Sequence, residues 1–426
     1  MQGLHEHLKN RGFLYQCTDE GHVQRLLDEE KVVFYVGFDP TADSLHVGHL
    51  IPILAMVHLQ RAGHHPIAVV GGGTAMVGDP SGKTEMRMML QSEQIRSNGE
   101  SIARQLERFL VLDGRAGSMV NNADWLTDLG YVPFLREIGS HFSVNRMLAA
   151  ESYRARLETG LTFLEFNYML LQAYDFLELA RQKGCLLQIG GQDQWGNIVA
   201  GTDLIRRKLG RQAYGLTLPL LLDSAGNKIG KTAGGAVWLD ADKTSVFDFY
   251  QYWRNMDDSD VGRLLKLYSF LPIDECERLG TLPPPAINRG KEILAFEATS
   301  LVHGFDQAAG AYLAATAHYP SADPDNAIPT TSRITELGKA ADHLPELTAT
   351  IDPATGTVLV CDLLVQAGWC KSRGEAKRLI QQGGVKLDDV TVQDTAATLS
   401  PEALAAAPVL KAGKKRMARI RAQGRM

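Results

Sequence analysis

Two histidines three residues apart, in HVGH (His46 to His49), follow an apolar run and a turn-forming DPTADS, so they fall where a helix begins. On a first helical turn such a pair shares one face, where free N–H groups and the helix dipole favour an anion such as a triphosphate. Gly48 between them leaves room for a flat ring to approach the backbone. The same spacing can also be a chance pair or half of a metal site. Farther along, KIGKT (Lys228 to Thr232) places two lysines three residues apart between glycine-bearing flanks. Two ammonium groups on a closing loop can meet phosphate charge that grows only in a transition state, although an exposed lysine loop is also ordinary solvated surface.

GDPSGKT (Gly78 to Thr84) invites a P-loop reading, but Gly78 and Gly82 enclose three residues where that motif has four, and Val77 stands where its first glycine should be. GGGTAM carries Met76 where a dinucleotide fingerprint has its third glycine. Neither nucleotide motif is intact, and what remains is glycine that permits close backbone approach. In LTFLEFNYMLLQAYDFLELA, Tyr168, Gln172 and Asp175 fall at i, i+4 and i+7 and share one helix face. Apolar residues surround that stripe on more than one side, which predicts a polar wall of a pocket rather than the solvated side of an amphipathic helix.

The elements that must position these residues alternate. Val32 to Phe38, Pro66 to Val70, Ser118 to Asn121 and CLLQIGG up to Gly191 read as strands, separated by helical segments and each running into a polar or glycine-rich loop. That pattern predicts an α/β fold with a parallel sheet and a ligand site at the carboxyl ends of its strands. From Asp240 the pattern turns helical. Pro320, Pro324, Pro329, Pro345 and Pro353 then punctuate a Ser-, Thr-, Asp- and Ala-rich stretch that reads as linker. A compact tail from Val358 reads as helix, helix and a short hairpin across Asp388 and Asp389. The expected divisions are 1–239 for the sheet domain, 240–318 helical, 319–357 linker and 358–426 for the tail.

With 426 residues, 45% of them hydrophobic and 22% charged, disordered and fibrous classes are excluded. The two longest uncharged stretches, Ser44 to Gln60 and Ala62 to Gly78, are interrupted by His, Pro and Gly, so no membrane span is expected. The amino terminus does not read as a secretory signal, and five scattered cysteines without ligand spacing favour reduced thiols in a cytoplasm. Net charge is −5, but residues 358–426 hold twelve Lys and Arg against six Asp and Glu, leaving −11 on the rest. An acidic body with a basic tail suggests an anionic partner met through the tail.

Together these motifs resemble a known family. HVGH and KIGKT look like the HIGH and KMSKS signatures of class I aminoacyl-tRNA synthetases, with Val47, Ile229 and Gly230 departing from that consensus. YVGFDPTADSLHVGHL, VGDPSGKT, YMLLQAYDF and IGGQDQWGNI resemble the bacterial tyrosyl-tRNA synthetases, and the tail resembles an S4-type RNA-binding domain. The resemblance implies a Rossmann-like parallel-sheet catalytic domain, a helical domain and a small α+β S4-like domain. It implies that Tyr35 and Asp175 bind the phenolic hydroxyl of tyrosine, that Asp79, Tyr168 and Gln172 hold its ammonium group, and that Gln194 lies near its carboxylate. Asp39, Gly191 and Asp193 match contacts to the ammonium side or the ribose, and Gly37 and Gly48 join them at the ATP site. His46, His49 and Thr41 match phosphate contacts, Lys228, Lys231 and Thr232 the mobile loop, and Lys83 and Arg87 basic residues that assist adenylation. Lys371, Arg373, Lys377 and Arg378 would face RNA. Implied partners are L-tyrosine, ATP with Mg2+ but no protein-held metal, tRNA(Tyr) and a second copy of the chain, in the cytoplasm and away from membranes. Tryptophanyl-tRNA synthetases share the fold and both signatures, but Asp175 and the S4-like tail argue against them; an RNA-binding module would leave HVGH and KIGKT without a task.

Overall fold

The computed structural model describes residues 3–81, 90–158, 160–220, 222, 230–232, 235–317, 320–337, 346–351, 356–388, 390–406, 408–413 and 416–422. They form two compact units, residues 1–244 with 259–280 and residues 245–258 with 281–426.

The first unit is built on a six-stranded sheet of β1 (Gln16–Cys17), β2 (Val33–Phe38), β3 (His65–Val70), β4 (Ser118–Asn121), β5 (Leu187–Gly191) and β6 (Tyr214–Leu218), in the order β1-β6-β5-β2-β3-β4. All neighbours are parallel except β1 against β6. The chain runs outward from β2 to β3 and β4 on one side, then returns to β5 and β6 on the other. The order therefore reverses between β2 and β5, where Tyr35 sits beside Gln188. Helices diverge from the sheet at such a switch point and leave a crevice above the carboxyl ends of the strands. The strands are near-continuous apolar runs because both faces are covered: Phe34, Val36, Ile67, Val69, Leu187 and Ile189 are buried. Helix Leu50–Arg61 buries almost its whole circumference, and helix Tyr168–Lys183 ends on Gly184 in the left-handed region, which turns the chain back into β5.

Helix Val261–Tyr268 and helix Ile273–Gly280, expected in the helical domain, belong to this first unit. The buried Arg11 guanidinium donates to the carbonyls of Lys266, Ser269 and Leu271, and the Tyr268 hydroxyl donates to Val47 O, so these helices are tied to the amino terminus and to the HVGH segment.

In the second unit, helices Val246–Arg254, Ile287–His303 and Phe305–Thr316 pack around Phe249, Trp253, Leu294 and Phe296. The expected linker is structured where it is described. Buried Arg289 donates to Asn326 Oδ1 at 2.5 Å, Glu292 accepts from Ser321 Oγ and the Ala322 N–H, and Ser332 Oγ donates to Glu297 at 2.6 Å. The Ser, Asp and Asn that read as linker composition are the groups that satisfy a buried arginine and glutamate. β9 (Glu346–Ala349) pairs in parallel with β15 (Arg416–Ala422), so the tail sheet begins upstream of the expected boundary at 358. Its order is β12 (Val390–Thr391), β11 (Val385–Leu387), β14 (Val409–Ala412), β15 and β9, while β10 (Val358–Leu359) and β13 (Thr398–Leu399) form a separate pair. The β11–β12 hairpin turns at Asp388 as the sequence predicts, and helices Val360–Gln366 and Arg373–Gln381 cover a core of Leu363, Leu364, Ile380, Val385, Leu410 and Ile420.

Candidate active site

A cleft of about 450 Å³ opens above the carboxyl ends of β2 and β5. Every expected tyrosine or ATP residue whose side chain is described lines it: Tyr35, Gly37, Asp39 and Thr41 from β2 and its loop, His46, Gly48 and His49 from the next turn, and Asp79 from the glycine-rich loop. Tyr168, Gln172 and Asp175 come from one helix, and Gly191, Asp193 and Gln194 from the end of β5. Lys83, Arg87 and Lys228 lie outside the described residues. Lys231 and Thr232 form β7, which pairs with β8 (Gly235–Ala236).

At the bottom of the cleft, Asp175 accepts from Asn122 Nδ2 at 2.9 Å and Trp125 Nε1 at 2.8 Å. Burial pushes its carboxyl up to about 7 while those two bonds hold it down. The Tyr35 hydroxyl beside it is fully buried and has no hydrogen-bond partner among the described residues. Burial, with the Asp175 charge adding to it, pushes that phenol well above its ordinary range, so it stays a donor. A buried hydroxyl left without a partner costs free energy unless a ligand or water supplies one. Gln188 Oε1, one strand over, is also buried without a partner among the described residues.

Above these, a carboxylate and amide cluster is held by a single asparagine. Asn197 Nδ2 donates to Gln172 Oε1 at 3.1 Å and Gln194 Oε1 at 3.0 Å, and Gln194 Nε2 donates to Asp79 Oδ2 at 2.8 Å. The Ser81 N–H donates to the other Asp79 oxygen at 2.8 Å. Across the cleft, Asp39 accepts from Tyr168 OH at 2.8 Å and Thr74 Oγ1 at 2.7 Å. Gly71 is required for this: a Cβ there would lie 2.0 Å from Asp39 Oδ1. The carboxylates Asp79 and Asp39 therefore face one cavity with fixed orientations, which suits an ammonium group.

Near the mouth, the His46 and His49 rings lie 3.9 Å apart. His46 Nδ1 accepts from the Gly48 N–H and His49 Nδ1 accepts from the His46 N–H, both at 3.1 Å. With both Nδ1 atoms accepting, the neutral rings carry their proton on Nε2. A Cβ on Gly48 would lie 2.8 Å from His46 Cε1, so the imidazole itself occupies the space the glycine leaves. Among the described residues, no group of three His, Cys, Asp or Glu side chains is placed to hold a metal.

Sequence reading missed Thr74, Asn122, Trp125, Gln188 and Asn197. Asn122 directly follows β4, the kind of position where parallel strands place ligand contacts, and Asn197 stands three residues beyond Gln194. Trp125 carried no such signal. In the second unit, Lys371, just before helix Arg373–Gln381, and Arg373, Lys377 and Arg378 along it are all exposed, with Arg373 paired to Asp362.

Residues 27–319 match the family of tRNA synthetases class I (W and Y), and residues 362–404 match the S4 domain. The chain belongs to the class I tRNA synthetases of the tryptophan and tyrosine group and carries an S4 domain. Its place within that group is with the tyrosine–tRNA ligases. It is 50% identical to that of Caldanaerobacter subterraneus subsp. tengcongensis over 416 residues, 97% of this chain and 98% of the relative. With that of Desulfosudis oleivorans it shares 52% identity over 417 residues, 96% of each chain. A C-terminally truncated Aspergillus nidulans mitochondrial tyrosyl-tRNA synthetase superimposes with a TM-score of 0.65 at 30% identity, covering 74% of this chain and 93% of that one. The Archaeoglobus fulgidus tyrosyl-tRNA synthetase, complexed with L-tyrosine, shares the fold at a TM-score of 0.55 and 18% identity, covering 72% and 99%.

Proposed function

We infer that the cleft is where this tyrosine–tRNA ligase joins L-tyrosine to ATP, forming tyrosyl-adenylate and releasing pyrophosphate, before tyrosine passes to the 3′-terminal adenosine of tRNA(Tyr). The observation that carries the residue assignment is the buried Tyr35 hydroxyl, without a partner among the described residues, next to the buried Asp175 carboxylate. One donor and one acceptor side by side at the bottom of the pocket match a phenolic O–H, which donates to Asp175 and accepts from Tyr35. Phenylalanine would leave the Tyr35 hydroxyl without a partner and set an apolar ring edge against the Asp175 carboxylate; discrimination by these synthetases is itself a well-known illustration of that penalty. Asp79, Tyr168 and Gln172 take the ammonium group, Gln194 lies near the carboxylate, and Asp39, Gly191 and Asp193 serve the ammonium side or the ribose.

The reaction needs no protein nucleophile. The substrate carboxylate attacks the α-phosphorus and pyrophosphate leaves, so the protein supplies position and charge stabilisation. His46 and His49 present Nε2–H donors to the phosphates with Thr41 near them, Gly37 and Gly48 allow the nucleotide close to the backbone, and Lys228, Lys231, Thr232, Lys83 and Arg87 supply further contacts as charge moves to the leaving group. Mg2+ enters with ATP. Lys371, Arg373, Lys377 and Arg378 meet RNA phosphates. A homodimer in the cytoplasm completes the reading. Phe163 and Leu164 are exposed apolar residues next to the buried Arg156–Glu165 ion pair, which orders the segment that bears them. No helix among the described residues is long and apolar enough to cross a membrane.

Amino-acid-dependent ATP–pyrophosphate exchange tests the assignment. Exchange with tyrosine alone is expected; exchange with tryptophan, or equal exchange with phenylalanine, overturns it. Light scattering tests the dimer, and a monomeric mass would remove that part.

A further inference from the structure

One residue joins the two signature segments. Val237 accepts the Val47 N–H at its carbonyl and donates its own N–H to Gly230 O, each at 3.0 Å. Beside it the Leu239 N–H donates to Leu45 O at 2.8 Å, and His46 forms an antiparallel bridge with Trp238. Val47 is held from its other side as well, its carbonyl accepting from Tyr268 OH at 3.3 Å, and it is fully buried. The backbone of Gly230 is thereby registered against the first turn of the histidine motif.

Side-chain space sharpens the fit. Gly230 has φ 101°, and a Cβ there would lie 2.9 Å from Val47 Cγ2 and 3.5 Å from the Gly48 nitrogen. Val47 is β-branched and packed on all sides, so its methyl has nowhere to swing. Val47 and Gly230 are both positions at which the motifs depart from the class consensus, and here they touch.

We propose that Gly230 is a positioning residue: its bare Cα, seated on Val47 and clasped by Val237, sets Lys231 against the His46–His49 pair for adenylation. Lys231 is the next residue in the chain, so a displacement of a few tenths of an ångström at Gly230 passes directly into its backbone. The pocket around Tyr35 and Asp175 stands on β2, the turn after β4 and helix Tyr168–Lys183, none of which carries Gly230. The proposal rests on reading Lys231 as a transition-state contact.

The test is single-turnover adenylate formation together with equilibrium tyrosine binding, for the intact enzyme and its Gly230→Ala, Val47→Ala, doubly substituted and Lys231→Ala variants. Gly230→Ala should slow adenylation by about tenfold or more while tyrosine affinity changes less than about twofold. Val47→Ala should slow the wild type, because the seat is lost, yet speed the Gly230→Ala variant by about threefold or more, because the obstructing methyl is gone. That reversal of sign is not produced by general destabilisation. If Val47→Ala slows both backgrounds alike, or if tyrosine binding falls with the rate, the seat is wrong even where Lys231→Ala is slow. An unchanged rate in Lys231→Ala overturns the lysine reading, and the positioning role with it.

Discussion

Asn122 donates from Nδ2 to Asp175 Oδ2 and to Thr74 Oγ1, both at 2.9 Å, while its Oδ1 accepts the Gly73 N–H at 2.7 Å. All polar atoms of the amide are engaged in one orientation, since the flipped amide would set oxygen against the carboxylate. Thr74 Oγ1 in turn donates to Asp39, which also accepts from Tyr168. A chain of directional bonds thus links Asp175 at the bottom of the cleft to Asp39 and Tyr168 on its wall.

Asp175→Ala removes a buried charged acceptor. A hydrogen bond to a charged group is worth about 1.5–3 kcal/mol, so kcat/KM for tyrosine should fall by about one to two powers of ten. Steady-state kinetics with a folded variant checks this, and an unchanged value would sink the assignment.

Asn122→Ala should show itself in a pH profile. Burial lifts the Asp175 carboxyl to about 7, and the Asn122 and Trp125 bonds oppose that rise. Losing one of them lifts it further. Because the phenol needs the ionised carboxylate as acceptor, kcat/KM for tyrosine should climb with pH through this range, and the midpoint in the variant should move upward. A midpoint that stays put or moves down contradicts the role of Asn122.

His58 should contribute to acid sensitivity at the amino-terminal end of the fold. Its ring packs against Phe13, Phe270 and His7, and burial, with Arg11, His7 and Arg61 nearby, lowers its pKa from 6.5 to about 3. Below pH 6.5 the unfolded chain takes up a proton that the folded chain refuses. The stability this group contributes is present above 6.5 and is lost as pH falls toward about 3, at up to about 1.4 kcal/mol per pH unit. His7 and His64 are lowered in the same direction. Urea unfolding at pH 7 and pH 5 should therefore show a smaller loss for His58→Phe than for the wild type.

A chain ending at Leu337 should keep adenylation and lose efficient charging. It retains the residues from Tyr35 to Thr232 and the packed segment 320–337, whereas a cut at Pro329 would remove Ser332 from Glu297. The basic tail is gone. The affinity of the intact enzyme for tRNA should fall with salt more steeply than that of the fragment. Pyrophosphate exchange and tRNA charging, measured side by side, test this; equal charging would show that the tail is dispensable.

Motifs confined to one element were legible in the sequence. HVGH announces a helix start, the i, i+4, i+7 stripe of Tyr168, Gln172 and Asp175 announces a helix face, and the alternating apolar runs announce a parallel sheet, because each rests on backbone periodicity within a few residues. The basic excess of the tail needs only counting. Tertiary structure alone decided which groups complete them. Asn122 reaches Asp175 across 53 residues of chain and Thr74 across 48, and their amide and hydroxyl have no periodicity to betray them. The same limit misled the reading of 319–357 as linker. Ser321, Asp323, Asn326 and Ser332 have turn-forming composition, yet each bonds its neighbours or the groups on helix Ile287–His303, and only folding brings Arg289 and Glu292 to where they demand such partners. Periodicity records which way a side chain faces; what it meets there depends on how distant segments pack, since a buried polar group must be satisfied by whatever the fold delivers.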